Sequence, residues 1–238
     1  MIPKIIHYIW LGGKPLPKIA TKCIKSWKKY CPDYEIKRWD ESNLDLNKYK
    51  FAKDAYDAKK FAFASDVLRT DILYQYGGIY LDIDVELLKN IDEFLKYRIF
   101  MGFETSDSLN PGLLIGCEPS TFELKDILNI YQNLKFDAQK CKGLTICEIY
   151  TIYFKENQCL IPKNLTQILD KNAFFSSEYF APIDNITSKK KITKNTYSIH
   201  WYCSSWYTPK MKFLKSLKKI ANLFTFGMAG KIKKKLKK

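Results

Sequence analysis

Apolar positions along the chain fall into short runs of two different periods. Lys4 to Trp10 carries Ile5, Ile6, Tyr8 and Ile9, β-forming residues in one extended run, and predicts a strand. Gly12-Gly13 with Pro15 and Pro17 predicts a loop. Lys18 to Tyr30 then sets Ile19, Cys23, Ile24 and Trp27 at helical spacing. Pro32-Asp33 turns the chain, and Tyr34 to Trp39 predicts a second strand. Strand, helix and strand in this order predict an α/β class with a mostly parallel central sheet.

Phe51 to Tyr76 reads as mostly helical and is stopped by Gly77-Gly78. Ile79 to Val85 predicts a strand, alternating from Tyr80 onward. Phe100–Phe103 and Leu113–Cys117 predict short strands, and Pro119–Leu134 and Ile146–Phe154 predict helices. Cys159–Pro162, Phe174–Ser177 and Tyr197–Trp201 are later strand candidates. No repeat and no Gly-, Ser- or Pro-rich linker divides this stretch, so residues 1–208 are expected to form one domain. Residues 209–238 are expected to be a separate basic tail.

Charge sharpens that division. The net charge is +15, yet fifteen lysines lie beyond Asp184, the last acidic residue, and positions 1–184 balance 25 basic against 25 acidic residues. The excess describes the end of the chain and not the body. Met211, Leu214, Leu217, Ala221 and Phe224 recur at a three-four spacing with lysines on the other side, and six more lysines follow between Lys231 and Lys238. A basic amphipathic helix of this kind suits an anionic membrane surface, each lysine adding about 1 kcal/mol. A solvated helix is the plainer alternative. Nucleic-acid binding ranks last, because the tail has no arginine and no base-reading module. Seven cysteines at irregular spacing, without C-x-x-C, argue for free thiols. No run of about twenty apolar residues predicts a spanning helix. The apolar N-terminus has no small-residue cleavage site and reads as a buried strand. The expected location is the cytoplasm, at the inner face of the cytoplasmic membrane.

The candidate chemistry lies in Tyr80-Leu81-Asp82-Ile83-Asp84. On a strand, Asp82 and Asp84 share a face with Tyr80, while Leu81 and Ile83 face the other way. Two carboxylates so close repel unless a cation lies near them. At the carboxyl end of a strand they suit Mn²⁺ or Mg²⁺ with positions open to a diphosphate. A lone D-x-D is common and, taken alone, is more often a solvated acidic turn. Upstream, Asp66 and Arg69 lie three apart on one helical face, either as an ordinary surface ion pair or as contacts to a sugar or phosphate.

Three blocks in order, Ile2–Trp10, Ala64-Ser65-Asp66-x-x-Arg69 and Leu73-Tyr74-x-x-Gly77-Gly78-x-Tyr80-x-Asp82-x-Asp84, resemble glycosyltransferase family 32. That family holds fungal α-mannosyltransferases and bacterial capsule and lipooligosaccharide enzymes, and it is similar to the catalytic domains of large glucosylating toxins. The resemblance implies a GT-A, Rossmann-like fold, a nucleoside-diphosphate-sugar donor and retention of anomeric configuration. It further implies that Trp10 stacks on the donor base and that Asp66 and Arg69 hold ribose and donor sugar. Tyr80 would lie beside the donor, Asp82 would touch donor hydroxyls and metal, and Asp84 would bind the metal directly. In His200-Trp201-Tyr202-Cys203-Ser204-Ser205-Trp206 it implies His200 as a metal ligand, with Ser204 or Ser205 and Trp206 on the diphosphate. A structural histidine in an aromatic cluster is the alternative for His200, and His7 reads as packed within the core.

The polar loop Glu104–Asn110 is a candidate acceptor loop, with Asp107 and Asn110 as its residues. The expected reaction moves a hexose or N-acetylhexosamine, from a UDP-sugar by preference, to a glycan or lipid-linked glycan. With no carboxylate placed as nucleophile, the implied route is a front-side substitution in which the leaving phosphate helps deprotonate the acceptor. A nucleotide-sugar hydrolase and a non-catalytic basic nucleic-acid- or membrane-binding protein are the competing readings.

Overall fold

A computed structural model describes residues 1–138, 145–184 and 189–203. The tail at 209–238 and the predicted contacts Ser204, Ser205 and Trp206 lie outside these residues.

Strand β1 (Ile5–Ile9) leads through helix α1 (Lys18–Tyr30) to β2 (Glu35–Trp39). Helices α2 (Lys50–Asp57) and α3 (Phe61–Tyr76) lead to β3 (Gly78–Tyr80) and the short β4 (Val85–Leu87). Next come β5 (Ile99–Gly102), β6 (Ile115–Cys117), α4 (Phe122–Asn133) and α5 (Ile146–Asn157). The hairpin β7 (Gln167–Leu169) and β8 (Asn172–Phe175), the short α6 (Ser177–Phe180) and β9 (Ser198–His200) complete the described chain. The main sheet has the order β2-β1-β3-β6-β5-β8-β7, and β4 pairs with β9 in a separate ribbon. Five of its seven strands run one way, with β6 and β7 reversed.

Helices cover both faces. Leu68, Ile72 and Leu73 of α3 pack with Leu124, Ile127 and Tyr131 of α4 and Tyr150 of α5 on one side. On the other, Ala20, Cys23 and Trp27 of α1 meet Ile6, Ile79 and Val85. The Trp27 indole donates to the Val85 carbonyl at 2.7 Å, which fixes α1 against the end of the acidic motif. Helix α3 is buried from Val67 through Leu73, polar residues included, as expected for a helix enclosed by the fold. Gly77 ends it at φ 62°, where an added Cβ would meet Pro119 at 2.7 Å.

The predicted strand Ile79–Val85 is not continuous. β3 stops at Tyr80, and the Val85 N–H returns to the Asp82 carbonyl at 3.0 Å in a tight turn. The predicted strand Cys159–Pro162 is absent. Cys159 adopts φ 55° and folds Leu160 back so that its N–H reaches the Phe154 carbonyl at the end of α5. The long helix from Phe51 is two helices, broken at Lys59 with φ 57°. β1 lies between β2 and β3, so the sheet order reverses there, and the carboxyl ends of β1 and β3 frame the crevice where open α/β sheets bind ligands.

Candidate active site

The turn after β3 brings Asp82 and Asp84 to that crevice. Its first residue stays tied to the sheet through Leu81 N–H on the His7 carbonyl at 3.1 Å. Leu81 and Ile83 are buried beneath, so the expected partition of apolar and acidic residues holds, although a turn and not a pleat produces it. The β4–β9 ribbon pairs Val85 with His200 and lays the imidazole against the acidic pair. One ligand atom from each of Asp82, Asp84 and His200 lies within 4.8 Å of the others.

Asp84 is gripped from three sides. His200 Nε2 lies 3.1 Å from its Oδ1, the Cys203 N–H donates to its Oδ2 at 2.8 Å, and the Trp201 N–H donates to its carbonyl at 3.0 Å. Burial opposes its charge, but His200 and the Cys203 N–H outweigh burial and hold the carboxyl below its usual range. The same contact raises His200 against the downward pull of burial. The residues fit a divalent ion: two carboxylates and one imidazole make a borderline oxygen and nitrogen set suited to Mn²⁺. The 3.1 Å between His200 Nε2 and Asp84 Oδ1 also matches the roughly 3 Å between adjacent ligands on an octahedral ion with bonds of about 2.1 Å.

Arg69 forms the second half of the site. Its Nη2 lies 3.1 Å from Asp66 Oδ1 and its Nη1 3.2 Å from Asp82 Oδ1, with the guanidinium 4.5 Å over the Tyr80 ring. Tyr80 is buried, so it is a platform for Arg69 and a support for Asp82 more than a surface open to a donor. Burial pushes Asp66 up to about 6, against the pull of Arg69 and of the Ile146 N–H at the start of α5. Burial also raises Asp82, with Arg69 and His200 opposing.

Other predicted residues divide. Trp10 stands at the carboxyl end of β1, on the same sheet edge, its indole N–H turned to the Lys14 carbonyl. Asn110 approaches the site through Gly112, whose N–H donates to Asn110 Oδ1 at 2.7 Å. Asp107 stays on the exposed loop tip, engaged with Thr105 and Ser106. His7 is structural: its Nδ1 accepts from Trp39, its Nε2 lies 3.0 Å from the Gly77 carbonyl, and burial lowers it to about 4, so it stays neutral. Sequence reasoning missed Gly112. An added Cβ there would stand 2.5 Å from Asp82 Oδ2 and 3.1 Å from Arg69 Nη1.

Residues 17–100, which hold Asp66, Arg69 and both motif aspartates, match the family described as glycosyltransferase sugar-binding region containing DXD motif. These residues therefore resemble the sugar-binding region of DXD glycosyltransferases. The chain is 32% identical over 133 residues to inositol phosphoceramide mannosyltransferase 3 of Schizosaccharomyces pombe, an alignment covering 54% of this chain and 37% of the fungal protein. An uncharacterized glycosyltransferase of Acanthamoeba polyphaga mimivirus is 27% identical over 90% of this chain and 87% of its own length. The chain thus spans a little over a third of the fungal relative and most of the viral one. Among solved structures, the PaToxG glycosyltransferase superposes with a TM-score of 0.52 at 21% identity, covering 65% of this chain and 69% of that one. A glycosyltransferase involved in glycosylation of the major capsid of PBCV-1 gives 0.50 at 13% identity, over 92% and 98%. The fold is the GT-A fold of glycosyltransferases.

Proposed function

We propose that the chain is a metal-dependent, retaining glycosyltransferase that moves a sugar from a nucleoside-diphosphate sugar to a glycan or lipid-linked glycan. The observation that carries this reading is the convergence of Asp82, Asp84 and His200 beside the buried Asp66–Arg69 pair at the carboxyl edge of the sheet. Asp84, His200 and Asp82 would hold Mn²⁺ or Mg²⁺, which as a Lewis acid offsets charge growing on a leaving diphosphate. Arg69 presents a fixed positive charge next to them. Its buried Nη1 lies 3.2 Å from Asp82 Oδ1 without a well-aligned hydrogen bond among the described residues, and a sugar or phosphate oxygen would supply one. Asp66, once ionised, accepts from a donor hydroxyl, and Trp10 offers a ring to the base. With no carboxylate assigned as nucleophile, front-side substitution with the leaving phosphate as proton acceptor is the proposed route.

UDP-sugars remain the first expectation for the donor. The fungal relatives' names specify mannose, so GDP-mannose stands beside them. Those names also specify a phosphoceramide acceptor, which supports a lipid-linked acceptor here. The lysine-rich residues 209–238 would bring the enzyme to an anionic inner membrane surface. Among the described residues no helix is long and apolar enough to cross a membrane.

The test is a thermal-shift and calorimetric screen of UDP- and GDP-sugars with Mn²⁺, on wild type and Asp84→Ala. One nucleotide class is expected to stabilise the wild type only with Mn²⁺, and Asp84→Ala is expected to lose that response while remaining folded. Metal-independent binding, or none to any nucleotide sugar, would overturn the transferase reading.

A further inference from the structure

The imidazole of His200 is held from a side that the metal triad does not explain. The next residue but one, Tyr202, has φ 50°, in the left-handed region that a bulky aromatic residue rarely occupies. Such a conformation persists only where its surroundings enforce it, and it clusters at functional sites. Here the bend does two things. It turns the Cys203 N–H back onto Asp84 Oδ2 at 2.8 Å, and it lays the Tyr202 ring on the His200 ring, centroids 4.2 Å apart. The Tyr202 hydroxyl is shut off from solvent, and burial and the nearby Glu104 carboxylate raise its pKa.

Glu104 has a firm base from which to act. It follows β5 at the carboxyl edge of the sheet, its N–H bonded to the Ser108 carbonyl at 2.9 Å, and Phe103 pairs with Leu109 directly beneath. Its charge helps raise Tyr202, His200 and the Cys147 thiol, whereas Asp107, three residues on, bonds only its own loop tip.

We propose that Tyr202, whose ring lies on the imidazole and whose bend turns the Cys203 N–H onto Asp84, is a positioning residue that orients His200 and the 200–203 backbone for metal binding, with Glu104 beside it. Outer groups of this kind fix the orientation of a ligating histidine, and their loss costs on the order of 10–100-fold in metal affinity. His200 and Asp84 meet across 116 positions of sequence, and the β4–β9 ribbon offers only three residue pairs to keep them together. The Tyr202 clasp adds a second, independent tie. The inference rests on the metal reading of the site.

The test is Mn²⁺ titration of the full chain by electron paramagnetic resonance, without nucleotide, with the modulation from a coordinated imidazole nitrogen as a second signature. Tyr202→Leu, which removes the ring, is expected to weaken Mn²⁺ binding at least tenfold and to diminish the nitrogen modulation. Tyr202→Phe and Glu104→Gln, which keep the ring but remove its hydroxyl or the charge beside it, are expected to weaken it less. Melting curves identify a variant that fails to fold, and the two mild variants then carry the test. A merely structural clasp would lower the melting temperature and leave Mn²⁺ affinity and modulation at wild-type values, which overturns the proposal while the metal site stands. Absence of Mn²⁺ binding by the wild type would overturn both.

Discussion

Two arginines, one buried and one half-buried, meet carboxylates at opposite ends of the same sheet. Arg98 lies just before β5, at the end away from the crevice. Its Nη2 donates to Glu123 Oε1 at 2.6 Å and its Nε to Asn172 Oδ1 at 3.2 Å, while Asn172 donates to the same Glu123 oxygen at 2.8 Å. Each of the three groups bonds the other two. Arg69, at the carboxyl edge, is more deeply enclosed, yet its contacts are longer: 3.1 Å to Asp66, 3.2 Å to Asp82, 3.3 and 3.4 Å to Ser65. A closed triangle of bonds marks an ion pair that fixes structure, even with Glu123 Oε2 left without a hydrogen bond among the described residues. Long contacts around an incompletely bonded, buried guanidinium mark a charge held ready for an oxygen that the chain does not supply.

Conservative replacement of each arginine gives the largest contrast. Lysine keeps the charge and loses the planar fork. Arg69→Lys is expected to lower kcat/KM on the order of 10²–10³-fold, the scale seen when one donor to developing charge is removed. Arg98→Lys is expected to lower stability by about 1–3 kcal/mol, leaving Glu123 and Asn172 poorly bonded, with kcat/KM unchanged. Steady-state kinetics beside urea unfolding reads both. The comparison breaks if Arg98→Lys cuts turnover at wild-type stability, or if Arg69→Lys alters only stability.

Gly112→Ala asks how closely the open cluster is packed. The new methyl would stand 2.5 Å from Asp82 Oδ2 and must displace it or Arg69. A displacement of about 1 Å in a reacting group costs up to roughly 10²-fold in rate, so a loss of this size is expected. Wild-type kinetics in this variant would mean that the cluster tolerates movement, and the contrast with the closed Arg98 ring would then rest on distance alone.

What could be read from the sequence follows the range of each interaction. The α1 bounds are those predicted, because Ile19, Cys23 and Trp27 carry the period locally and Pro17 marks the start. The acidic pair was legible because both carboxylates sit two positions apart, although the turn that aims them was not: Tyr80 to Val85 alternates like a strand, and only the pairing of β4 with β9 pulls its end away. His200 was legible through resemblance, its partner being 116 positions distant. Gly112 was not legible, because it acts on Asp82 and Arg69, which are distant in sequence and brought near only by the sheet edge. The Cys159–Pro162 error has the same origin: four strand-like residues serve as the return from α5, and no glycine announces the left-handed residue.

The Asp66 carboxyl gives a pH signature of moderate size. Its folded value of about 6 lies above the ordinary 3.8, so the folded state binds the proton more tightly than the unfolded chain. The stability this contributes is fully present below about pH 4 and is lost as pH rises through 6, falling by at most about 1.4 kcal/mol for each pH step of one between those values. Donor binding that needs the ionised form moves the opposite way and weakens as pH falls through 6. Asp66→Asn is expected to flatten the stability dependence between pH 4 and 6 and to bind donor weakly throughout. Parallel wild-type and variant stability curves across that range would show that Arg69 already holds Asp66 ionised, and the cluster would then be closed like that of Arg98.

The smallest effects separate two residues of one loop. Asn110 is buried, its N–H bonded to the Gly102 carbonyl at 3.0 Å and its Oδ1 accepting from Gly112. Asn110→Ala removes a buried acceptor and frees the residue that fixes the space around Asp82, so a loss of about 1 kcal/mol in stability is expected, together with a several-fold fall in kcat. Asp107 bonds only the hydroxyls of its own loop tip among its described contacts, and Asp107→Ala is expected to stay within about 0.5 kcal/mol of wild type. Donor hydrolysis, measured with water as the acceptor, distinguishes support of Asp82 from contact with an acceptor glycan. Asn110→Ala should slow hydrolysis and transfer alike if its effect runs through Gly112, and transfer alone if Asn110 touches the acceptor.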